Sequence, residues 1–572
     1  MKLLILYATT KGNSKAIAET VLQGLDDYMF EEKRFMAIDK YEKEKLVNED
    51  IVIFVCSTYG KGSEPEMMSD FWKYLTREHL PGNYLSNIHF AVFGCGSSRA
   101  KKLFNAASKR LYRRLTQLGG IPINDCGFGD ASHENGHYET FYPWMEDLKK
   151  NLEALGLVAL HKVKKQYEYT IDFSNEDLLE TDSTIRNNKI VDEFEVIKNK
   201  RVTPKDYFRD TRVIDLKSLD NLSYKPGDII EIIPVNLKSE VNDAIIRLQW
   251  EEIADIPFTI KSNRNIELPE IWKSTQTLRN LLEKSLDIFG KPNLKMGRHL
   301  RFIYEDYLKN ENSDKLSDIE SYIKNCLDEK KSIFDILCEF PTKDLRIDEI
   351  LEIIPTIKAR SYSITSSRKV RGDNIIELII GINKFTTGNN ETRTGISSKW
   401  ISTLQLNDKI YATVKSGSMK FDSYIDQPMI MICTGTGIAT IRSYLQERIF
   451  HGQRENYLFY GYRNSKVDDY YMDELQKYSK EGYVNLYLAA SRDPDEKIYV
   501  QNKLIENSKL IWDLITNKKA HIIVSGNAKT LPSSVKTALR DIYIEESNCS
   551  SEQASKTLQI LEDDGIYQEA CY

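Results

Sequence analysis

Thr9-Thr10-Lys11-Gly12-Asn13-Ser14 follows the apolar run Leu3-Leu4-Ile5-Leu6-Tyr7 and precedes a helix-period segment. Hydroxyls and backbone N–H groups converge there on a helix N-terminus, whose partial positive charge suits a phosphate monoester without any arginine. A plain Thr/Ser helix cap would use the same residues, so the motif alone decides nothing. Three more segments stand in like positions: Ser57-Thr58-Tyr59-Gly60-Lys61-Gly62, Gly94-Cys95-Gly96-Ser97-Ser98 and Gly127-Phe128-Gly129-Asp130. Tyr59 ends a buried run, where an aromatic can stack on a flat ring whose edge the freed backbone hydrogen-bonds. Four loops at successive strand ends make one site in an open parallel sheet.

A second group lies further on. Arg360-Ser361-Tyr362-Ser363 offers a guanidinium for a pyrophosphate, a ring and a hydroxyl. Alone it reads equally as a two-faced strand with an exposed arginine. Thr394-Gly395-Ile396-Ser397-Ser398 opens a helix, and its N–H groups suit a pyrophosphate. The third group begins with Cys433-Thr434-Gly435-Thr436-Gly437-Ile438-Ala439-Thr440, between a buried strand and a helix. A lone glycine pattern is weak, but Ser491-Arg492, Lys497, Tyr499 and Gln501 follow it. A phosphate dianion wants such an arginine, lysine and hydroxyl donors, and Tyr499 can stack on a base. Arg463 in Gly461-Tyr462-Arg463-Asn464 adds to that field, and Gly526-Asn527-Ala528-Lys529 supplies the next strand-end loop.

The elements that position these motifs follow from periodicity. Apolar runs without alternation at 3–8, 51–56 and 89–95 predict strands buried on both faces, with helices at 13–25, 66–77 and 101–118. Residues 1–150 are therefore a doubly wound α/β domain, and 151–190 reads as a linker. From 191 the period changes to two, and the turn Tyr224-Lys225-Pro226-Gly227-Asp228 predicts an antiparallel barrel over 191–425. Helical periodicity from about 241 to 345 interrupts it as an all-α insertion; strands at 358–366 and 374–382 then resume. Residues 426–572 return to strand–loop–helix alternation.

Length alone implies several domains. With 79 basic and 85 acidic side chains no basic stripe dominates, which argues against a nucleic-acid partner. The eight cysteines form no C-x-x-C pair, so neither a disulfide framework nor a metal site is expected. No apolar stretch is long enough for a membrane anchor. These features predict a cytoplasmic protein, although mitochondrial association stays open, and a monomer.

Taken together, the motifs resemble the NADPH-dependent diflavin reductases over nearly the whole chain. The resemblance implies a flavodoxin-like FMN-binding domain, an antiparallel FAD barrel with an all-α insertion, and a ferredoxin-reductase-like NADPH domain. It implies that Thr9 to Ser14 hold the FMN phosphate, that Tyr59 stacks on the isoalloxazine, and that Ser57, Thr58, Gly60, Gly94, Gly96, Ser97 and Asp130 complete that site. Arg360, Tyr362, Ser363, Gly395, Ile396, Ser397 and Ser398 are implied for FAD. Thr434, Gly435, Thr436, Gly437, Arg463, Ser491, Arg492, Lys497, Tyr499 and Gln501 are implied for NADPH, the downstream cluster gripping its 2′-phosphate. Tyr572 stands where the family has a terminal aromatic, usually tryptophan, that shields the FAD ring; a frayed tail is the alternative. Ser363 and Tyr572 are the implied catalytic positions.

The chain departs from the family in places. Arg99 follows Ser98 where a second stacking tyrosine is usual nearby, and the spacing to Phe104-Asn105 is one residue longer. Thr440 replaces a usual proline. In the microsomal reductases a cysteine and an acid assist hydride transfer; here Ser525 and Ala570 stand there, with Glu569 one residue off.

Two stretches, at 104–120 and 127–148, resemble the soluble diflavin reductase of cytosolic iron–sulfur assembly, whose partner is an anamorsin-type iron–sulfur protein. Electrons are then expected to pass from NADPH through FAD and FMN to such a one-electron acceptor. Other readings are a sulfite reductase flavoprotein, a methionine synthase reductase, or a non-enzymatic scaffold for an assembly factor. Residues 1–150 carry 20 basic and 20 acidic groups, and the basic run Arg99, Lys101, Lys102, Lys109, Arg110, Arg113 and Arg114 reads either as a solvated face or as a surface for an acidic partner.

Overall fold

Uninterrupted apolar runs become strands buried on both faces. The computed structural model describes all residues except 11, 26–27, 60–61, 134–135, 159–166, 174–184, 187–188, 191, 221, 264–267, 305–318, 420–425, 494–496 and 572. The chain divides into two compact units, Met1–Lys165 and Gln166–Tyr572.

In the first unit, strands β1 (Lys2–Ala8), β2 (Glu32–Ala37), β3 (Ile51–Ser57), β4 (His89–Gly96) and β5 (Ile121–Pro122) form a parallel sheet. Their order is β2-β1-β3-β4-β5, and β6 (Gly127–Asp130) pairs with β4. Helices Asn13–Gly24, Ser69–Leu75, Ala106–Gln117 and Tyr138–Ala154 accompany the sheet. Every residue of β3 except Ser57 is buried, as a strand covered on both faces requires.

The second unit opens inside the span expected to be a linker. Residues β7 (Tyr169–Phe173) form a strand paired with a later one, so that stretch is part of the folded unit. A hairpin, β8 (Ile185–Arg186) and β9 (Lys189–Ile190), leads into β10 (Asp192–Arg201), β11 (Thr211–Ser218) and β12 (Ile229–Ile232). Among the described residues of the insertion, helices and turns are joined by one strand, β13 (Phe258–Ser262), the partner of β7; its core holds Trp250, Trp272 and Leu281. Next come β14 (Arg360–Ser363), β15 (Ile375–Gly381), the hairpin β16 (Lys384–Thr386) and β17 (Thr392–Thr394), and β18 (Lys409–Lys415). The barrel sheet runs β14-β12-β18-β10-β11-β15, antiparallel throughout. An isolated bridge between Ile364 and Leu378, with Thr365 N donating to Glu377 O at 2.8 Å, ties its two edges and nearly closes it.

The last sheet is parallel, in the order β21-β20-β19-β22-β23. Its strands are β19 (Met429–Thr434), β20 (Asn456–Tyr462), β21 (Asn485–Ala490), β22 (His521–Gly526) and β23 (Tyr567–Cys571). Barrel residues Val213, Ile379 and Met419 share one core cluster with Met431, Leu445 and Tyr460 of this sheet and its helix Ile438–Phe450. Buried Arg442 of that helix pairs with Glu377 of β15 at 2.8 Å and with Glu474 at 2.7 Å. Shared apolar core and satisfied charge join barrel and sheet into one body. Among the described residues no helix is long and apolar enough to cross a membrane.

Candidate functional site

At the carboxyl edge of the first sheet, the turn after β1 is set by Thr9, whose hydroxyl accepts the Gly12 N–H at 2.8 Å. Gly12 has φ +88°, and a Cβ there would meet nothing within 4 Å, so the turn uses glycine's left-handed freedom and its outer side is open. Thr10 and Asn13 are exposed around this opening, at the N-terminus of a twelve-residue helix. That cradle fits a phosphate. Ser14 lies beneath it: the residue is fully buried, and its hydroxyl has no partner of good hydrogen-bond geometry. Burial pushes the neighbouring Cys95 thiol up to about 12, and the nearby Ser14 hydroxyl opposes that rise.

The next loops converge on the same edge. Tyr59 is 41% exposed and pairs with Ser63 through both backbone groups, at 2.8 and 2.9 Å. Ser57 Oγ reaches Ala8 O at 3.5 Å, and Thr58 N donates to Cys95 O at 3.0 Å, tying adjacent strand ends together. Gly94 and Gly96 have a packing reason. A Cβ on Gly94 would lie 2.1 Å from Ser108 Oγ, and one on Gly96 would lie 2.7 Å from Asn105 Oδ1. Asn105 itself is fully buried, with φ +53°, and its side chain donates to Gly129 O at 3.1 Å. Asp130 Oδ1 accepts the N–H groups of Ser98 and Ser132, each at 2.8 Å. Burial works against its charge, but these bonds hold the carboxyl below its usual range. Ser97 Oγ meets Ser132 Oγ at 2.6 Å. Lys11, Gly60 and Lys61 lie outside the described residues, and Arg99 is described by its backbone alone.

Much of the basic run serves this unit internally. Arg110 donates to Gly62 O at 2.7 Å, Arg114 to Leu75 O at 2.7 Å, and Lys109 to Phe104 O at 2.8 Å. Lys101, Lys102 and Arg113 stay exposed.

In the barrel, β14 pairs with β12, placing Tyr362 opposite Ile230 and Ser363 opposite Ile229. Tyr362 OH meets Ser397 Oγ at 2.7 Å, joining the two motifs 35 residues apart. Burial raises the Tyr362 phenol, and Ser397 opposes that. Ser398 Oγ accepts Asn383 N at 2.9 Å, and Gly395 N donates to Asn383 O at 3.1 Å, fixing the start of the helix Ile396–Thr403. A Cβ on Gly395 would meet nothing within 4 Å, so this helix start also has open space before it. Arg360, half-buried, donates to Lys358 O at 2.7 Å.

In the last sheet, Thr434, Gly435, Thr436 and Gly437 turn from β19 into the helix Ile438–Phe450. A Cβ on Gly437 would lie 2.2 Å from Ser525 O, and one on Gly526 would lie 2.5 Å from Thr434 Oγ1. These strand ends approach backbone to backbone. A Cβ on Gly435, at φ +55°, meets open space. The downstream cluster is stitched to the neighbouring strand end: Ser491 N donates to Tyr462 O at 3.0 Å, Arg492 N to Arg463 O at 2.7 Å, and Ile498 N to Ala490 O at 3.1 Å. Ser491, Arg492, Arg463 and Tyr499 are thus held together at the ends of β20 and β21, with Lys497 and Gln501 alongside in sequence. Arg492, Lys497 and Tyr499 are exposed. Exposed cations beside an exposed ring and a glycine turn with open space fit a phosphorylated dinucleotide.

A model for flavodoxin matches residues 5–144, one for the FAD binding domain matches 186–400, and one for the oxidoreductase NAD-binding domain matches 431–536. The chain is 31% identical to NADPH-dependent diflavin oxidoreductase 1 of Xenopus laevis, over 98% of this chain and 97% of that protein. The protein of the same name from Mus musculus is 32% identical over 92% of each chain. That of Schizosaccharomyces pombe is 30% identical over 99% of this chain and 98% of its own. The chain belongs to the NADPH-dependent diflavin oxidoreductase family. It is an NADPH-dependent flavoprotein oxidoreductase with FMN, FAD and NADPH as cofactors.

The diflavin frame gives meaning to the end of the chain. β23 pairs parallel with β22, setting Ala570 opposite Ser525 and Cys571 opposite Gly526. The terminus is a strand up to Cys571; Tyr572 lies outside the described residues. Side chains alternate along a strand, so Glu569 faces away from the side that Ala570 faces. Ala570 packs on the cluster shared with the barrel, whereas Glu569 pairs with Lys536 at 3.0 Å and accepts from Tyr567 OH at 2.9 Å. Glu569 therefore does not stand in for an acid at position 570. From the sequence Asn105 serves only as a spacing marker, and Asp468 is not singled out at all. Asp468 is buried and accepts the N–H groups of Arg463 and Asn464 at 3.1 and 2.8 Å. Neither carries a motif; each is recognisable only from the backbone it holds.

Proposed function

We propose that this diflavin oxidoreductase serves a cytoplasmic one-electron acceptor, an iron–sulfur protein of the anamorsin type. When bound, the nicotinamide supplies a hydride and the two flavins supply stepwise electron donation. The chain's own residues bind, orient and shield. Thr9, Thr10, Lys11, Gly12, Asn13 and Ser14 form the FMN phosphate turn, with Thr10, Gly12 and Asn13 presenting its open side. Tyr59 packs on the FMN ring, with Ser57, Thr58, Gly60, Ser97 and Asp130 in the surrounding loops, and Gly94 and Gly96 admit Asn105 beneath them. Arg360 and the helix start at Gly395, Ile396, Ser397 and Ser398 take the FAD pyrophosphate. Tyr362, braced by Ser397, orients the flavin, and Ser363 offers its hydroxyl. Thr434, Gly435, Thr436, Gly437 and Arg463 take the dinucleotide phosphates of NADPH. Ser491, Arg492, Lys497, Tyr499 and Gln501 select its 2′-phosphate, and Tyr572 covers the flavin ring.

The observation that carries the NADPH end is the backbone stitching of Arg492 to Arg463, which sets the main chains of two arginines side by side at adjacent strand ends. The acceptor rests on the resemblance of the stretches at 104–120 and 127–148. The test is NADPH-driven reduction of a purified anamorsin-type protein by the full chain, followed by the loss of its oxidised-cluster absorbance. Reduction in proportion to NADPH consumed, and much slower with NADH, is expected. Rapid NADPH-driven reduction of ferricyanide without reduction of the iron–sulfur protein would overturn the acceptor.

A further inference from the structure

The helix Ile438–Phe450 begins at the glycine turn of the last sheet and packs on the barrel. Arg442 and Gln446 are one turn apart on the same face of it, with Glu447 next to them. All three are buried. Such side chains are rarely buried without fixed partners.

Those partners lie mainly in one short stretch of the barrel, Thr365 to Ser367, which is itself fully buried. Arg442 Nη1 donates to Thr365 O at 3.2 Å and to Glu377 Oε1 at 2.8 Å. Ser367 N donates to Gln446 Oε1 at 2.9 Å, and Ser367 Oγ donates to the Glu447 carboxylate. From the other side Glu474 accepts Arg442 Nε at 2.7 Å and Gln446 Nε2 at 2.8 Å, which fixes how both side chains point. Ser366 Oγ accepts Glu377 N at 3.1 Å, so the stretch is tied to β15 as well.

The stretch directly continues β14, the strand of Tyr362 and Ser363. At the start of the same helix stands the turn Thr434 to Gly437. One helix thus links the dinucleotide turn to the flavin strand through directional bonds. The apolar cluster shared by barrel and sheet resists separation but, being non-directional, does not set register. Hydrogen bonds, which depend on angle, do. Buried ion pairs contribute little net stability compared with apolar packing, so this polar set suits registry better than adhesion.

We propose that Arg442, Gln446 and Glu447 are positioning residues for hydride transfer, holding the dinucleotide turn in register with the flavin strand β14. This rests on the reading that Thr434 to Gly437 take NADPH and that Tyr362 and Ser363 meet the flavin. A misplacement of about 1 Å between reacting groups can slow a reaction about a hundredfold. Register at this seam therefore governs the rate of the first step rather than nucleotide affinity.

The test uses the full chain loaded with both flavins. Gln446→Met keeps the bulk and removes the bonds to Ser367 and Glu474. Single-turnover bleaching of the flavin by NADPH is expected to slow by about tenfold, with a larger isotope effect from NADPH deuterated at nicotinamide C4. FAD content and affinity for 2′,5′-ADP, which lacks the nicotinamide, should change less than about twofold, since binding away from the reacting ring is untouched. The difference spectrum that NADP⁺ induces in the oxidised protein, a readout without turnover, should shrink. Glu447→Ala should slow bleaching as well, and Glu447→Gln, which can still accept from Ser367, should recover most of the loss. That pair decides the outcome if Gln446→Met does not fold. Unchanged bleaching, or slower bleaching matched by weaker 2′,5′-ADP binding or loss of FAD, would overturn the proposal and leave the contacts a structural role only. Arg492→Ala checks the reading beneath it: if that variant does not weaken 2′,5′-ADP, the NADPH reading itself fails.

Discussion

The molecule has two parallel sheets with glycine-rich strand ends, and those ends are built differently. In the first unit the space above Gly94 is taken by side chains, those of Ser108 and Asn105. In the last sheet the space beside Gly437 is taken by backbone, the Ser525 carbonyl 2.2 Å from where a Cβ would sit. A side chain can turn away from an added methyl group; a strand within a sheet cannot. Glycine thus serves in one case to admit a buried asparagine that links two loops, and in the other to let strand ends converge. The first arrangement leaves loops adjustable, while the second fixes the dinucleotide turn with the sheet.

The sharpest way to break this contrast is Gly437→Ala. It should cost about 3 kcal/mol or more, since overpacking against backbone has no soft escape, and should abolish NADPH-driven ferricyanide reduction. Thermal unfolding and activity measure both. Gly94→Ala should cost only about 1–2 kcal/mol, and adding Ser108→Ala should recover part of it by removing the nearest obstacle. Equal losses in the two glycine variants would dissolve the distinction. Asn105→Ala is expected to cost about 1 kcal/mol by stranding the Gly129 carbonyl, with faster release of FMN on dilution. The smallest effect concerns pH. The folded Asp130 carboxyl is held below its unfolded value. Its contribution is therefore fully present above about pH 4 and is lost as pH falls through the folded value. Asp130→Asn should flatten the acid side of the FMN-retention profile and leave neutral pH nearly unchanged.

Most of the frame was legible from residues alone. The runs at 3–8, 51–56 and 89–95 became β1, β3 and β4 because unbroken apolar runs can be satisfied only between two covering layers. The change to period two near 191 announced the barrel for the same reason in reverse, one face inward and one outward. Less legible was Tyr169–Phe173, which lies in a polar stretch and becomes a strand only because β13 offers it an edge. The helical insertion concealed β13 similarly.

What the sequence by itself determined was the set of motifs, their order and the periodicities between them. These follow from local chemistry: hydroxyls and glycines at helix starts, arginines near phosphate turns, and hydrophobic spacing. Tertiary structure alone decided which of those residues meet. It brought Tyr362 to Ser397 and Arg492 to Arg463, and turned Glu569 away from Ala570 by the alternation of a paired strand. Such meetings depend on register and loop closure across tens to hundreds of residues, which no local pattern encodes.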